Sequence, residues 1–126
     1  MRKMNYKESL LQANFCHWLD GKGLLYTASL AGVNLGPRVG AMRKRMGCKA
    51  GTPDISIFEP RSKYYGLFIE LKADGGNVSD PNQLKWQQEL NKRGYLSIIM
   101  PNNLDFPQAF DWLRNCVEKY LTLFRE

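Results

Sequence analysis

Histidine and cysteine, the usual raw material of zinc centres and nucleophile pairs, are scarce in this 126-residue chain. His17 is the single histidine, and Cys16, Cys48 and Cys116 are the three cysteines. The cysteines are widely spaced, odd in number and lack a C-x-x-C pair, which disfavours both a disulfide framework and a zinc site. Cys16 and His17 are neighbours in an expected helix, so they point to different faces and give little support to a Cys–His nucleophile. The chemistry left open is that of carboxylates, lysine and bound metal. Long hydrophobic runs are also missing, so no membrane span is expected. The basic start, Met1-Arg2-Lys3-Met4, is not followed by an apolar segment, and no signal peptide is expected. The protein is therefore expected to stay in the cytoplasm. Repeats, low-complexity tracts and linkers are absent, and the length suits one domain over residues 1–126. No Gly-rich phosphate loop opens a helix, which argues against a metabolic α/β enzyme.

What is present is a soluble composition, with 44% hydrophobic and 24% charged residues, and a net charge of +6. Part of the positive charge is concentrated. Arg38, Arg43, Lys44, Arg45 and Lys49 fall in a stretch with no acidic residue. Such a stretch attracts polyanions, most commonly nucleic acid, although a merely solvated loop has the same composition.

Hydrophobic periodicity gives the element order. Leu11, Phe15, Trp18 and Leu19 share one face of a helix over residues 7–20, with Gly21 as its stop. A short strand is expected over 24–28. The Gly-rich basic stretch 30–52 has no clear pattern. Strands are expected over 54–58 and 64–72, joined by a turn near 60–63 as an antiparallel hairpin. A turn over 73–79 leads to a helix over 81–93, with Asp80 as N-cap, Pro81 at its first position and Gln83 completing a capping-box pattern. A buried strand over 95–100 follows. The chain closes with a helix over 106–124, capped by Asp105 and striped by Phe106, Ala109, Phe110, Leu113, Val117, Tyr120, Leu121 and Phe124. The order α-β-β-β-α-β-α implies an α/β fold with a central mixed sheet flanked by helices. The strand after the 81–93 helix can return parallel by a right-handed crossover.

One constellation carries chemistry. Residues i and i+2 of a strand share a face, so Glu70 and Lys72 point the same way and Leu71 points into the opposite layer. The hairpin brings Asp54 beside them. Two close carboxylates repel, and one tends to take a proton unless a cation neutralises them. Mg²⁺ favours such oxygens, keeps several waters, and activates one of them beside a phosphate. Taken alone, an E-x-K strand is equally a solvated ion pair of small worth, and Asp54 after Pro53 is equally a turn residue.

Gly51-x-Pro53-Asp54, then Glu70-Leu71-Lys72, then Gln83-x-x-Trp86 with Leu90 and Gly94-Tyr95, together resemble the VRR-NUC (virus-type replication-repair nuclease) branch of the PD-(D/E)XK nucleases. The opening Glu8-Ser9-x-x-Gln12 matches as well, so the resemblance runs from Glu8 to about Met100. Order and spacing are far more specific than any one piece. The resemblance implies a restriction-endonuclease-like core and metal-dependent phosphodiester hydrolysis. It implies that Asp54, Glu70, the Leu71 carbonyl and Glu8 hold Mg²⁺, with Mn²⁺ able to substitute. Lys72 would serve the attacking water, with Gln83 beside it. This chain has Ser79-Asp80-Pro81-Asn82-Gln83 where the family usually has Ser-Pro-x-Gln, one residue longer after the serine.

In this setting Arg38, Arg43, Lys44, Arg45 and Lys49 become candidates for gripping DNA phosphates, which positions a duplex without reading its sequence. No base-reading module is recognisable, so structure-selective cleavage is expected. The family suggests a homodimer acting on branched DNA such as four-way (Holliday) junctions in repair or replication. A two-fold dimer would place two sites for two symmetric cuts, and the small size hints at a phage or mobile-element origin. Phe110, Trp112, Tyr120 and Phe124 on the last helix could serve the dimer, although core packing is their commoner use. The alternative reading is a catalytically inactive nucleic-acid-binding module on the same fold.

Overall fold

The computed structural model describes residues 6–29, 35–72, 74–75 and 80–125. Most of the turn expected over 73–79, Ser79, the basic start at Met1–Met4 and residues 30–34 of the basic stretch lie outside them. The elements run α1 (Tyr6–Lys22), β1 (Tyr26–Ala28), α2 (Pro37–Arg45), β2 (Ile55–Ile57), β3 (Leu67–Glu70), α3 (Pro81–Lys92), β4 (Leu96–Ile99) and α4 (Phe106–Leu121). The strands form one mixed sheet in the order β1-β2-β3-β4. β2 runs antiparallel to both of its neighbours, β1 and β3, and β4 returns parallel to β3 after α3.

Alternation decides the two faces of the sheet. Ile55, Ile57, Leu67, Ile69 and Leu71 all point to one side and are buried. They meet Leu11, Phe15 and Leu19 of α1 and Ala109, Leu113, Val117 and Tyr120 of α4 in a single apolar cluster. The i, i+4, i+8 spacing in each helix makes this stripe. On the other face α3 packs over β4, where Gln87 and Asn91 amides reach the Ser97 carbonyl at 3.3 and 3.5 Å. Two tethers lock the edges. The Tyr26 hydroxyl donates to Asp20 Oδ1 at 2.7 Å and contacts the Cys16 carbonyl at 3.0 Å. Its ionisation is pushed well above the usual phenol range by burial and by the Asp20 carboxylate. The Tyr120 hydroxyl donates to the Glu59 carbonyl at 2.7 Å, which ties α4 to the β2–β3 turn.

Several boundaries differ from expectation. Gly21 stays inside α1, and the left-handed turn falls two residues later at Gly23. The hairpin strands are shorter than expected, with an Arg61–Tyr64 bridge closing the turn. α4 ends at Leu121, so Phe124 is not part of its stripe and is 79% exposed. Asp80 caps α3 through the Asn82 amide, while the Gln83 side chain turns elsewhere and no reciprocal capping box forms there. α4 does carry one, between Asp105 and Gln108.

The basic stretch contains a helix that periodicity did not announce. α2 starts on Pro37 and buries none of its residues. A helix that contributes nothing to the core leaves no apolar stripe in its sequence. The loop after it is pinned by Gly51. A Cβ on Gly51 would sit 2.5 Å from the Asn82 carbonyl carbon, and its φ of +85° suits glycine. The bare backbone therefore lets the approach to β2 pass directly over the start of α3.

Gly47 has the same kind of φ, at +95°, but open space around it. Gly47→Ala should therefore cost only the left-handed penalty of about 1–2 kcal/mol. Gly51→Ala should cost about 1–3 kcal/mol more, because the added methyl displaces backbone. Urea denaturation of the two variants measures the difference. Equal midpoints would mean that the loop–α3 contact is not tight.

Candidate active site

Three elements remote in sequence deliver the site. The register pairs Ile55 with Ile69, so Asp54 and Glu70 adjoin at the ends of β2 and β3. Asp54 Oδ2 accepts the Leu71 amide hydrogen at 2.8 Å. Leu71 itself is wholly buried in the core, which fixes the strand carrying Glu70 and Lys72. Glu8 comes from the first turn of α1, where the helix dipole favours an acid. One carboxylate oxygen from each of Glu8, Asp54 and Glu70 lies within 4.8 Å of the others. All three residues are nearly sealed from solvent, at 5%, 2% and 3% exposure.

Lys72 and Gln83 complete a buried network. The Lys72 ammonium donates to Gln83 Oε1 at 2.6 Å, and Gln83 Nε2 donates to Glu70 Oε2 at 2.7 Å. The amide thus spans the lysine and the carboxylate, with each end facing the partner whose charge it complements. The extra residue after Ser79 does not keep Gln83 from this position. Lys72 also borders two hollows. One, of about 370 Å³, lies between α1 at Lys7 and Leu11 and the start of α4 at Phe106. The other, of about 450 Å³, is edged by Leu84, Gln87 and Asn102.

The donor set suits a hard divalent cation. It consists of carboxylate oxygens from three residues, with neither thiolate nor imidazole in the group. A further oxygen, Gln12 Oε1, is buried without a hydrogen-bond partner among the described residues. Gln12 stands one turn beyond Glu8 on the same side of α1, and its place in the Glu8-Ser9-x-x-Gln12 pattern implies no role by itself. The i, i+4 pairing with Glu8 beside the core residues Leu11 and Phe15 is the signal that marks it. Burial raises the Cys16 and Cys116 thiols above their ordinary range, so neither is poised as a thiolate.

Glu8, Asp54, Glu70, Lys72 and Gln83 therefore come together. The basic residues do not join them. Arg38, Arg43, Lys44 and Arg45 lie on α2, with Lys49 in the loop beyond, and all but the half-buried Arg43 are exposed. Of the aromatic residues on the last helix, Tyr120 is in the core, while Phe110 and Trp112 pack partly buried against it. No helix among the described residues is long and apolar enough to cross a membrane.

Comparison with known proteins places the chain in a family. The family model for the VRR-NUC domain matches residues 3–101. A solved VRR_NUC domain protein superposes with a TM-score of 0.66 and 26% identity, covering 97% of this chain and 93% of its own. A second solved VRR_NUC domain superposes with a TM-score of 0.58 at 22% identity, covering 92% of this chain and 99% of its own, a likeness of fold. A search of curated proteins found no match. The family match spans most of the chain and contains Glu8, Asp54, Glu70, Lys72 and Gln83; the chain belongs to the VRR-NUC nuclease family.

Proposed function

We propose that the chain is a metal-dependent, structure-selective DNA endonuclease. The observation that carries this reading is the convergence of three buried carboxylates beside a buried lysine. Grouped like charges in a desolvated site are costly unless a cation joins them. Asp54, Glu70 and Glu8, with the Leu71 carbonyl, are the residues that would hold Mg²⁺, and Mn²⁺ would substitute. The bound ion would supply Lewis-acid polarisation of the phosphate and a nucleophilic water at neutral pH.

The chain's own groups do the positioning. The Leu71 amide holds one Asp54 oxygen and so orients the carboxylate. Gln83 holds Lys72 and Glu70 at once, so the ammonium is fixed near the acids and is not free to swing to solvent. Lys72 in that place steadies charge on the scissile phosphate and orients the attacking water. The cations Arg38, Arg43, Lys44, Arg45 and Lys49 hold the backbone of the substrate without reading bases. A two-fold dimer acting on branched DNA such as a four-way junction extends the reading, and a mass measurement in solution tests the dimer.

Cleavage of junction, flap and plain duplex DNA with Mg²⁺ or Mn²⁺ tests the activity. Wild type should cut the branched forms best. Asp54→Ala and Lys72→Ala should each lose about 10²–10³-fold, the scale of removing one preorganised electrostatic group. A wild type that binds DNA but cuts none of the three would make the chain a binding module on the same fold.

Metal binding has a readout of its own. Mg²⁺ at a hundredfold excess over its dissociation constant should stabilise the folded protein by about 2.7 kcal/mol. Asp54→Asn should abolish that rise in melting temperature. If the wild-type melting temperature ignores Mg²⁺, Mn²⁺ and Ca²⁺ alike, the carboxylates hold no metal. Gln83→Ala should raise the Mg²⁺ concentration needed for half-maximal cleavage by about 10–100-fold, as loss of an outer-shell partner does. A purely structural role for Gln83 would lower stability and leave that concentration unchanged.

A further inference from the structure

A second concave surface lies beside α3, and none of the three carboxylates lines it. A hollow of about 500 Å³ opens between the loop after α2 and α3, lined by Lys49, Asn82, Lys85, Trp86, Glu89 and Arg93 among others. A neighbouring hollow of about 290 Å³ shares Lys49 and Trp86 and extends past Thr52 to Arg43 and Ser29. The Trp86 indole, partly buried, is thus a wall common to both. Together they make a trough that follows the loop from α3 toward α2.

The trough combines two chemistries. Lys49 and Lys85 are exposed cations, and Arg93 is a third at the far end. Among the described residues Glu89 is the one acid lining the larger hollow, and Arg93 and Lys92 already engage it at 3.1 and 3.3 Å. Those partners hold its carboxyl below the usual range, so it remains an anion neutralised by its own neighbours. The excess charge lining the trough is positive, and an aromatic side chain, Trp86, lines both of its hollows. Cations along a groove with an aromatic platform suit a nucleic-acid strand whose bases are unstacked. A base inside a duplex presents no free face to an indole, whereas an unpaired base does.

We propose that this trough binds an unpaired stretch of the nucleic-acid substrate, with a base stacked on Trp86 and flanking phosphates on Lys49 and Lys85. The proposal rests on the nucleic-acid reading of the chain and deepens it, since it names the feature of the substrate that is selected. Its position supports that role. Trp86 sits three residues after Gln83 on the same helix, so an unpaired segment held there lies one helical turn from the carboxylate network. Asn82, where the loop crosses α3 at Gly51, belongs to the lining. The close backbone crossing therefore lies at the edge of the trough, between the lining residues Ala50 and Asn82.

The test uses fluorescence anisotropy with labelled oligothymidylate, a blunt duplex, and the same duplex bearing a single-stranded flap, with Ca²⁺ present. Trp86→Ala should weaken binding of the single strand and the flap about tenfold, within the range for one lost base–aromatic stack. Binding of the blunt duplex should stay within about twofold, since no stack is lost there. Trp86→Phe should keep most of the affinity. Lys85→Gln should lower the slope of log affinity against log salt on the single strand by about 0.7, the share of one phosphate contact. Thermal melting of each variant separates loss of binding from loss of fold. The proposal is overturned if folded Trp86→Ala weakens all three probes equally, or none of them. It is also overturned if folded Trp86→Phe is as weak as Trp86→Ala. Because binding is read without cleavage, a wild type that fails to cut would defeat the endonuclease reading and leave this result intact.

Discussion

The rest of the structure depends on holding three carboxylates together out of water. Glu8, Asp54 and Glu70 present oxygens within 4.8 Å of one another at sites almost closed to solvent. Charges so placed are strongly coupled, because little water is left to screen them. The local structure answers with donors. The Leu71 amide bonds Asp54, the Gln83 amide bonds Glu70, and the Lys72 ammonium joins the same chain of contacts through Gln83. Two helices begin here as well: Glu8 is in the first turn of α1 and Gln83 in the first turn of α3. Helix starts carry the positive end of the backbone dipole, which favours nearby anions.

The apolar core is what makes that arrangement rigid. Leu71, between Glu70 and Lys72, is wholly buried, so the two polar residues cannot rotate out without pulling a core leucine into water. Full burial of such a side chain stabilises by about 1.5–3 kcal/mol. Leu11 and Phe15 perform the same service for α1, and so anchor Glu8. α3 has fewer apolar anchors, with only Gln83 and Leu90 buried. Its position relies instead on Gln87 and Asn91 at Ser97 and on the backbone crossing at Gly51.

Where burial imposes a period, the sequence could be read. The alternation Leu67, Ile69, Leu71 and the stripe Leu11, Phe15, Leu19 each name their face, and the mixed sheet followed from the order of such segments. Glu70 and Lys72 could be placed on one face by the same rule. Their meeting with Glu8 was accessible only through the order of motifs, because no local pattern ties residues so far apart. α2 was hidden because a helix with no buried residue leaves no stripe. Gln83 was ambiguous because a glutamine three residues past an Asp N-cap fits a capping box. The buried lysine and carboxylate outcompete the backbone amide for its side chain, since hydrogen bonds to charged groups are the stronger ones. Trp86, which entered only through its place in the family motif, is half-buried and lines the trough beside α3.

That position of Trp86 bears on the structure selectivity proposed above. α3 is two-sided at its start: Gln83 turns inward to Lys72 and Glu70, while Lys85 and Trp86 line the trough. One rigid helix carries both, so a strand seated on Trp86 is in fixed register with the acids one turn away. Phosphate contacts alone carry no sequence information and would hold any duplex. An aromatic platform that accepts only an unstacked base adds a requirement a continuous duplex cannot meet. On that proposal, selection of structure would need no sequence reading, only the distance between two side chains on one helix. The Gly51 crossing at Asn82 matters to both sides for the same reason, since it holds the loop that borders the trough against the start of the helix that carries Gln83.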